Sequence, residues 1–487
     1  MSIEYTLVAA SFLLLVSIVT SKVSSRLGIP ALLLFLVVGM LAGSEGLGGI
    51  YFDDPLLAQF LGVASLAFIL FSGGLDTQID DIRPVMRQGF ALATVGVFLT
   101  ATLVAVVAYT ALDFSLEESL LFGAIISSTD AAAVFAVLRG KNVGLKGRLR
   151  PLLELESGSN DPMAIFLTVG MITLIENADR PVLSLVPMFV QQMALGALFG
   201  VLIGHGITAL INRLRLEYDG LYSVVTIAAV MLAYGATTAL GGNGFLAVYL
   251  AGVVSGNRTF IHKRSIKSFH EGLAWLMQIV MFLTLGLLVF PSELIPVIPE
   301  GLLVSIFLMA IARPLAVFVT LARTRLSWQE KTFISWVGLK GAAPIILATF
   351  PLVAGLAQAE AIFNLVFFIV LTSVLVQGTS LAPVARWLGV DTPALPRRTY
   401  PELIPGAGVK NDLVEIVIPD HSPVAGLRLV DIQLPHDTLV VLIGRDDDLV
   451  IPSGATALEA GDAVLVLAEK NSLPQVRATL CGVDAAA

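Results

Sequence analysis

The stretch Glu154-Leu155-Glu156-Ser157-Gly158-Ser159-Asn160-Asp161-Pro162 sits inside an otherwise apolar run covering residues 150–175. A run of that length is enough to cross the hydrocarbon core of a bilayer as a helix. Carboxylates in such a run are expensive in hydrocarbon, so each is a functional candidate by default. On a helix, Ser157, Asn160 and Asp161 stand at i, i+3 and i+4, which puts a hydroxyl, an amide and a carboxylate on one stripe. That stripe is half an oxygen shell for a dehydrated cation of single charge, because hard alkali ions take oxygen ligands. The same carboxylate, removed from water, can be neutralised by a proton instead. Cation and proton then compete for one group, which is the minimal chemistry of exchange. The plainer reading, an Asp161 merely hydrogen-bonded between helices, is disfavoured by the company of Asn160, Ser157 and a second acidic span.

Outward from this stretch, the chain is built of similar runs. Of its 487 residues 56% are hydrophobic and 14% charged, and the mean hydropathy is +0.88, the profile of a membrane protein. Thirteen candidate spans are placed at 4–21, 29–43, 57–74, 89–111, 118–138, 150–175, 183–211, 221–240, 244–257, 272–290, 300–321, 332–352 and 361–386. The loops provide a test of that count. Alternate connections hold Lys22 and Arg26; Arg83 and Arg87; Arg139, Lys141, Lys146, Arg148 and Arg150; Arg213 and Arg215; Arg258, Lys263, Arg264 and Lys267; and Arg323, Arg325 and Lys331. The intervening connections are acidic, with Arg180 their one basic residue. By the positive-inside rule the N-terminus is expected outside and the C-terminus in the cytoplasm. Glu4 precedes the first apolar run and Lys22 and Arg26 follow it, the reverse of a cleavable signal peptide, so the run is expected to be a retained span.

Several other classes are disfavoured. The formal charge of −8 and basic residues confined to short loops argue against nucleic-acid binding. The lone Cys481 allows neither a disulfide framework nor a cysteine zinc site, and the five histidines lack metal-ligand spacing, so no metal enzyme and no cofactor are expected.

Ionisable and helix-breaking residues inside apolar runs gather in four spans. The fifth carries Ser127-Ser128-Thr129-Asp130, the sixth the stretch quoted above, the eleventh Arg313-Pro314, and the twelfth Gly338-Leu339-Lys340-Gly341 followed by Pro344. Ser, Thr and Asp compete for backbone hydrogen bonds, so the fifth span is expected to be unwound near Thr129 and Asp130, with Asp130 either a second ligand or a helix-end cap. Two interrupted spans in opposite halves of a bundle point to an inverted-repeat transporter with its site at mid-membrane. Lys340 would offset the negative end of a broken helix at the crossing. Glu156 and Arg313 are read as a buried ion pair tethering the sixth span to the eleventh, the rival being that Glu156 itself carries a proton.

After Trp387 the pattern changes. Residues 387–411 are rich in proline and polar residues and read as a linker. From about 412 to 487, short β-rich runs at Leu413–Ile418, Thr438–Ile443 and Ala463–Leu467 predict a small α+β cytoplasmic domain, marginal alone and prone to dimerise.

On Ser128-Thr129-Asp130, Glu156 to Asp161, Ala312-Arg313-Pro314 and Gly338 to Ala342, the chain resembles the monovalent cation:proton antiporter-1 family, and within it the NhaP-like potassium/proton antiporters called cell volume regulation proteins. The resemblance covers nearly the whole chain. It implies an all-α, thirteen-span fold with crossed discontinuous helices, a homodimer in the bacterial inner membrane, and Asp161 as the cation and proton carrier. Asn160, Ser157, Thr129 and Asp130 would surround the ion, with Glu156 bridged to Arg313. An Asn-Asp pair in that family goes with electroneutral exchange of K+ or Na+ for H+. Many members have Arg where Lys340 stands; the lysine of this chain keeps the charge and lacks the planar fork. The tail resembles a TrkA-C domain on Gly426-Leu427-Arg428-Leu429, Ile451 to Thr456 and Gly461-Asp462, which implies dimerisation, a small regulatory ligand and potassium over sodium. Nothing like a GxGxxG dinucleotide fold precedes it. The rivals are a mainly sodium/proton exchanger, a regulated potassium channel, disfavoured by the lack of a TVGYG-type filter, and an intramembrane aspartyl protease on Asp130 and Asp161.

Overall fold

The computed structural model describes residues 3–27, 30–177, 179–214, 216–393, 411–419, 422–445, 448–469 and 472–482. Contacts divide the chain into two compact units, Met1–Ala394 and Leu395–Ala487.

The first unit is helical. Its described helices are α1 (Ile3–Leu27), α2 (Ala31–Ala42), α3 (Pro55–Asp76) and α4 (Ile79–Ala111). There follow α5 (Leu116–Ile126), α6 (Ala131–Gly140), α7 (Leu149–Glu176), α8 (Leu185–Arg213), α9 (Gly220–Ala239), α10 (Gly244–Gly256) and α11 (Lys263–Leu288). The last are α12 (Ile298–Thr320), α13 (Trp328–Trp336), α14 (Ala342–Ala354) and α15 (Ala359–Trp387). Ten segments are long and apolar enough to cross a membrane, with α5 and α6 counted as one, and α2, α10 and α14 are shorter apolar helices. Three boundaries differ from the sequence reading by six residues or more, the first being the end of α1, at Leu27 rather than near 21. Helix α4 begins at Ile79 rather than near 89, and α11 at Lys263 rather than near 272. Their first turns carry charge, Asp80 and Asp81 in one and Lys263, Arg264 and Lys267 in the other, and hydropathy ends where the charge begins although the backbone helix does not.

The interrupted spans form as expected, and the local reasons are visible. Helices α5 and α13 each start with a capping box, Ser115 with Glu118 and Ser327 with Glu330, which satisfies orphan N–H groups at both N-termini. Each then stops short of spanning, at Ser127–Asp130 and Val337–Gly341, before α6 and α14 resume. Pro344 lies within the first turn of α14, where its missing N–H is not needed. The preceding helices α4 and α12 each contain one π-helical turn, at Leu92–Gly96 and Leu308–Ala312. The order long helix, broken helix, long helix thus recurs as α4 to α7 and α12 to α15. That repetition is the pattern expected of an inverted repeat.

A second group of helices, α2, α3, α8, α10 and α11, packs through glycine. A Cβ on Gly39 of α2 would meet Leu283 O of α11 at 2.5 Å, and one on Gly74 of α3 would meet Tyr249 O of α10 at the same distance. Only glycine allows backbones that close, as in membrane helix pairs generally.

Beyond α15 the chain turns back. Strand β2 (Asp391–Pro393) pairs antiparallel with β1 (Val143–Leu145), in the connection between α6 and α7. Lys146 N donates to Val390 O at 2.9 Å and Lys146 Nζ to Gly389 O at 2.9 Å.

The second unit is a four-stranded antiparallel sheet of β3 (Asn411–Val417), β4 (Leu439–Arg445), β5 (Asp448–Val450) and β6 (Ala463–Glu469), in the order β3-β6-β4-β5, with helix α16 (Leu473–Cys481). Ile416, Ile443, Val464, Val466, Val476 and Leu480 form its core. Arg445 holds Asp462 with both prongs, at 2.9 and 2.8 Å, and donates to Ala457 O at 2.7 Å. The carboxylates of Asp462 and Glu459 push the guanidinium further above its ordinary value.

Candidate ion-binding site

The two broken helices cross at their interruptions. Asp130 N donates to Leu339 O at 2.9 Å, so one unwound backbone hydrogen-bonds the other. Lys340 is 1% exposed, and its Nζ donates to Ser127 O at 3.2 Å and Ser128 O at 2.9 Å, where α5 ends. The carbonyl end of a helix carries about half a negative charge, and the ammonium sits on it as the sequence anticipated. Asp130 does the converse. Its Oδ1 accepts from Ala133 N at 3.0 Å and caps the positive end of α6. Its carboxylate also lies against Gly341, where a Cβ on that residue would overlap it. Of the two roles the sequence left open for Asp130, the geometry displays the cap.

Helix α7 lies against this crossing. Ser157 Oγ donates to Thr129 O at 3.0 Å and accepts from Ala131 N at 3.0 Å, splicing the gap between α5 and α6. Asn160 Nδ2 donates to Thr129 Oγ1 at 2.6 Å. Asp161, 6% exposed, accepts a hydrogen bond on Oδ1 from Ser128 Oγ. One turn earlier, Glu156 accepts from Arg313 Nη2, the two side chains being 2% and 3% exposed. All eight sequence candidates, Thr129, Asp130, Glu156, Ser157, Asn160, Asp161, Arg313 and Lys340, are therefore brought to one place. The rearrangement relative to the sequence reading is local: Ser157 spends its hydroxyl on the backbone of the break, and Ser128 rather than Ser157 touches the carboxylate.

Asn160 Oδ1 is buried and has no hydrogen-bond partner among the described residues. An unsatisfied buried carbonyl oxygen costs roughly 1–3 kcal/mol. A cavity of about 210 Å³ reaches Asp161, lined also by Ser128, Thr129, Asp130, Ser157 and Tyr249. It opens past the exposed side chains of Asp76, Arg139 and Arg150. On α7 the residues lining this cavity are Arg150, Glu154, Ser157, Gly158 and Asp161, and none follows Asp161, so this cavity ends at the carboxylate.

Two site residues were missed. Tyr249 packs its ring on Gly158, so closely that a Cβ there would lie 2.5 Å from Cζ, and Asn243 Nδ2 donates to Pro162 O at 2.9 Å. Neither is ionisable within the membrane, so a search for costly charge passes over both. The available signal was Gly158 itself, a bare position in the middle of the polar stretch.

A buried carboxylate at crossed broken helices, at the end of a cavity, is the arrangement of a secondary transporter for a small cation. Residues 11–387 match the family model described as sodium/hydrogen exchanger, transmembrane, and residues 413–480 match the TrkA-C domain. The chain is 41% identical over 478 residues to a protein of Shewanella sp. strain ANA-3 called K(+)/H(+) antiporter NhaP2, covering 97% of this chain and 82% of that one. It is 38% identical to K(+)/H(+) antiporter NhaP of Alkalimonas amylolytica, over 98% and 84%, and 28% identical to Na(+)/H(+) antiporter ApNhaP of Aphanothece halophytica, over 77% and 73%. Its fold is similar to that of the solved sodium proton antiporter MjNhaP1 of Methanocaldococcus jannaschii, with a TM-score of 0.68 and 24% identity, over 79% of this chain and 99% of that one. The chain belongs to the sodium/hydrogen exchanger family, and it is a multi-pass membrane protein and a cation/proton antiporter, a transporter rather than an enzyme.

Proposed function

We propose that this chain exchanges K+ for H+, one for one, with the two ions competing for Asp161. The observation that carries the reading is the charge around the crossing. Asp130, Glu156 and Asp161 bring three negative charges, and Lys340 and Arg313 two positive ones. The fully ionised cluster is thus one charge short of neutral, and a single alkali ion or a single proton supplies it. Holding both, or neither, leaves net charge in a low-dielectric site, where it is costly. Asp161, the unpaired Oδ1 of Asn160 and the oxygens of Ser128, Thr129 and Asp130 are the ligands on offer. Glu156 with Arg313 is the structural tether, and Lys340 holds the end of α5. Potassium is favoured because the relatives similar over nearly the whole length carry that ion in their names, while the sodium-named relative is more distant.

The reading extends to an assembly: a homodimer in a bacterial inner membrane, crossing it thirteen times with the N-terminus outside. The cavity then opens to the cytoplasm, because Arg139 and Arg150 belong to the basic set of loops. The segment up to residue 386 transports and residues 412–487 regulate by binding a small ligand. Pairing of β2 with β1 supports such regulation, since the chain leading to the second unit is stitched to the loop that joins α6 to α7.

Dye dequenching in inverted vesicles tests the core of the reading. Asp161→Asn should insert and lose exchange with both K+ and Na+; exchange that survives would end the proposal. Comparing K+, Na+, Li+ and Rb+ on the parent protein, with and without residues 412–487, separates potassium from sodium preference and reports what the tail does.

A further inference from the structure

The cavity ends at Asp161, which raises a question of closure: what packs against α7 just beyond the carboxylate. The residue just beyond it, Pro162, offers its carbonyl to Asn243 Nδ2 at 2.9 Å. Asn243 is 3% exposed and otherwise bound to the glycine-packed helices. Its backbone N–H donates to Gln192 O of α8 at 3.0 Å, and its Oδ1 accepts from Leu246 N at 3.0 Å as the N-cap of α10. Helix α10 is in turn held to α3 and α8 by backbone-close glycine contacts at Gly74, Gly252 and Gly200. Besides the ring of Tyr249 on Gly158, the amide N–H of Asn243 reaches across to α7. Helix α7, for its part, is bonded to the crossing through Ser157, Asn160, Asp161 and Glu156. Among the described residues, Asn243 to Pro162 is the side-chain hydrogen bond that joins α10 to α7. It lies immediately past the carboxylate on the side the cavity does not reach.

Two turns further along α7, Thr168 is fully buried, and its Oγ1 has no hydrogen-bond partner among the described residues. Seven residues from Asp161, it shares that residue's face of the helix. Between the two, that face carries the buried apolar side chains of Ala164 and Ile165, so the hydroxyl is closed off from Asp161 in this conformation.

We propose that Asn243 is a positioning residue whose amide latches α7 shut on the far side of Asp161 and must release Pro162 whenever the carboxylate is exposed to that face. The inference rests on the reading of Asp161 as the exchanged site. Breaking one ordinary hydrogen bond shifts a two-state equilibrium about fivefold, so losing the latch should enlarge the oppositely open population by that factor.

The test uses full-length protein with Cys481→Ala and Thr168→Cys, labelled by a membrane-impermeant methanethiosulfonate reagent in vesicles of each orientation. Adding Asn243→Ser keeps an N-cap with a side chain too short to reach Pro162. Labelling from the face opposite Arg139 should speed about fivefold, and Asn243→Ala should speed it equally while also lowering thermal stability. An unchanged rate in Asn243→Ser, or acceleration in Asn243→Ala alone, overturns the latch. Asn243→Thr, an equally short cap, serves if the serine variant fails to insert. Labelling does not require transport, so loss of exchange in Asp161→Asn and loss of the labelling effect are separate failures.

Discussion

The glycine-packed helices α2, α3, α8, α10 and α11 and the bundle of α5 to α7 with α12 to α15 are held together by different forces. In the first group, backbones touch, and cohesion comes from dispersion summed over close surfaces. In the second, charges and hydrogen bonds do the joining: Lys340 on the end of α5, Ser157 across the break, Arg313 on Glu156. Close packing tolerates no side-chain growth, and the charged residues Asp76, Arg213, Lys263, Arg264 and Lys267 of these helices lie at helix ends. A polar bundle is costly in hydrocarbon, yet it presents oxygens to an ion. The difference teaches that one group is fitted to stay fixed and the other to hold charge, and that the seam between them is where motion is least expensive.

Experiments can break or sharpen this contrast. The largest effect belongs to Asp161→Asn, which should reduce K+/H+ exchange in vesicles by more than about a hundredfold with normal membrane insertion, since Asp130 is engaged as the cap of α6 and Glu156 is paired with Arg313. Next is Arg313→Met, which strands Glu156. Leaving one partner of a buried pair uncompensated costs about 3–5 kcal/mol, seen as a large fall in detergent melting temperature, and adding Glu156→Leu should recover most of it. Smaller again is Gly252→Leu, which forces α10 from α3 near Phe71 and should cost about 1–3 kcal/mol in melting temperature while leaving the apparent cation affinity of the surviving protein unchanged. If it alters affinity instead, the two groups are not separable. The smallest effect is Ser128→Ala, which removes the hydroxyl bonded to Asp161. A hydrogen bond to a charged group contributes about 1.5–3 kcal/mol, partly replaced by water from the cavity, so apparent K+ affinity should shift only several-fold. Lowering pH should raise the apparent KM for K+ in every active variant, because protons occupy the same carboxylate.

Much of the bundle was legible in the sequence, and little of the glycine-packed group was. Asp161, Asn160 and Lys340 stand out because charge and amide are rare within apolar runs, and the Ser-Ser-Thr-Asp run announces a break because those side chains bond their own backbone. The partner of Asp161 was not legible. Ser128 and Ser157 are the same residue type in equally suggestive motifs, and which one meets the carboxylate depends on how the unwound segment turns. Asn243 and Tyr249 were silent for a related reason: one is an uncharged residue in the short Gly-Gly-Asn-Gly connection and the other lies in an ordinary apolar run, and they acquire meaning only opposite Pro162 and Gly158.

By itself the sequence determined that this is a many-span membrane protein with an α+β tail and one carboxylate suited to trading a proton for an alkali ion. Hydropathy, loop charge and the price of burying an ionisable group are properties of residues taken singly or by helical spacing. The tertiary structure alone decided which hydroxyl binds Asp161, that Asp130 caps α6, and that the cavity ends at the carboxylate. Those outcomes depend on how helices far apart in the chain cross, which no local pattern encodes.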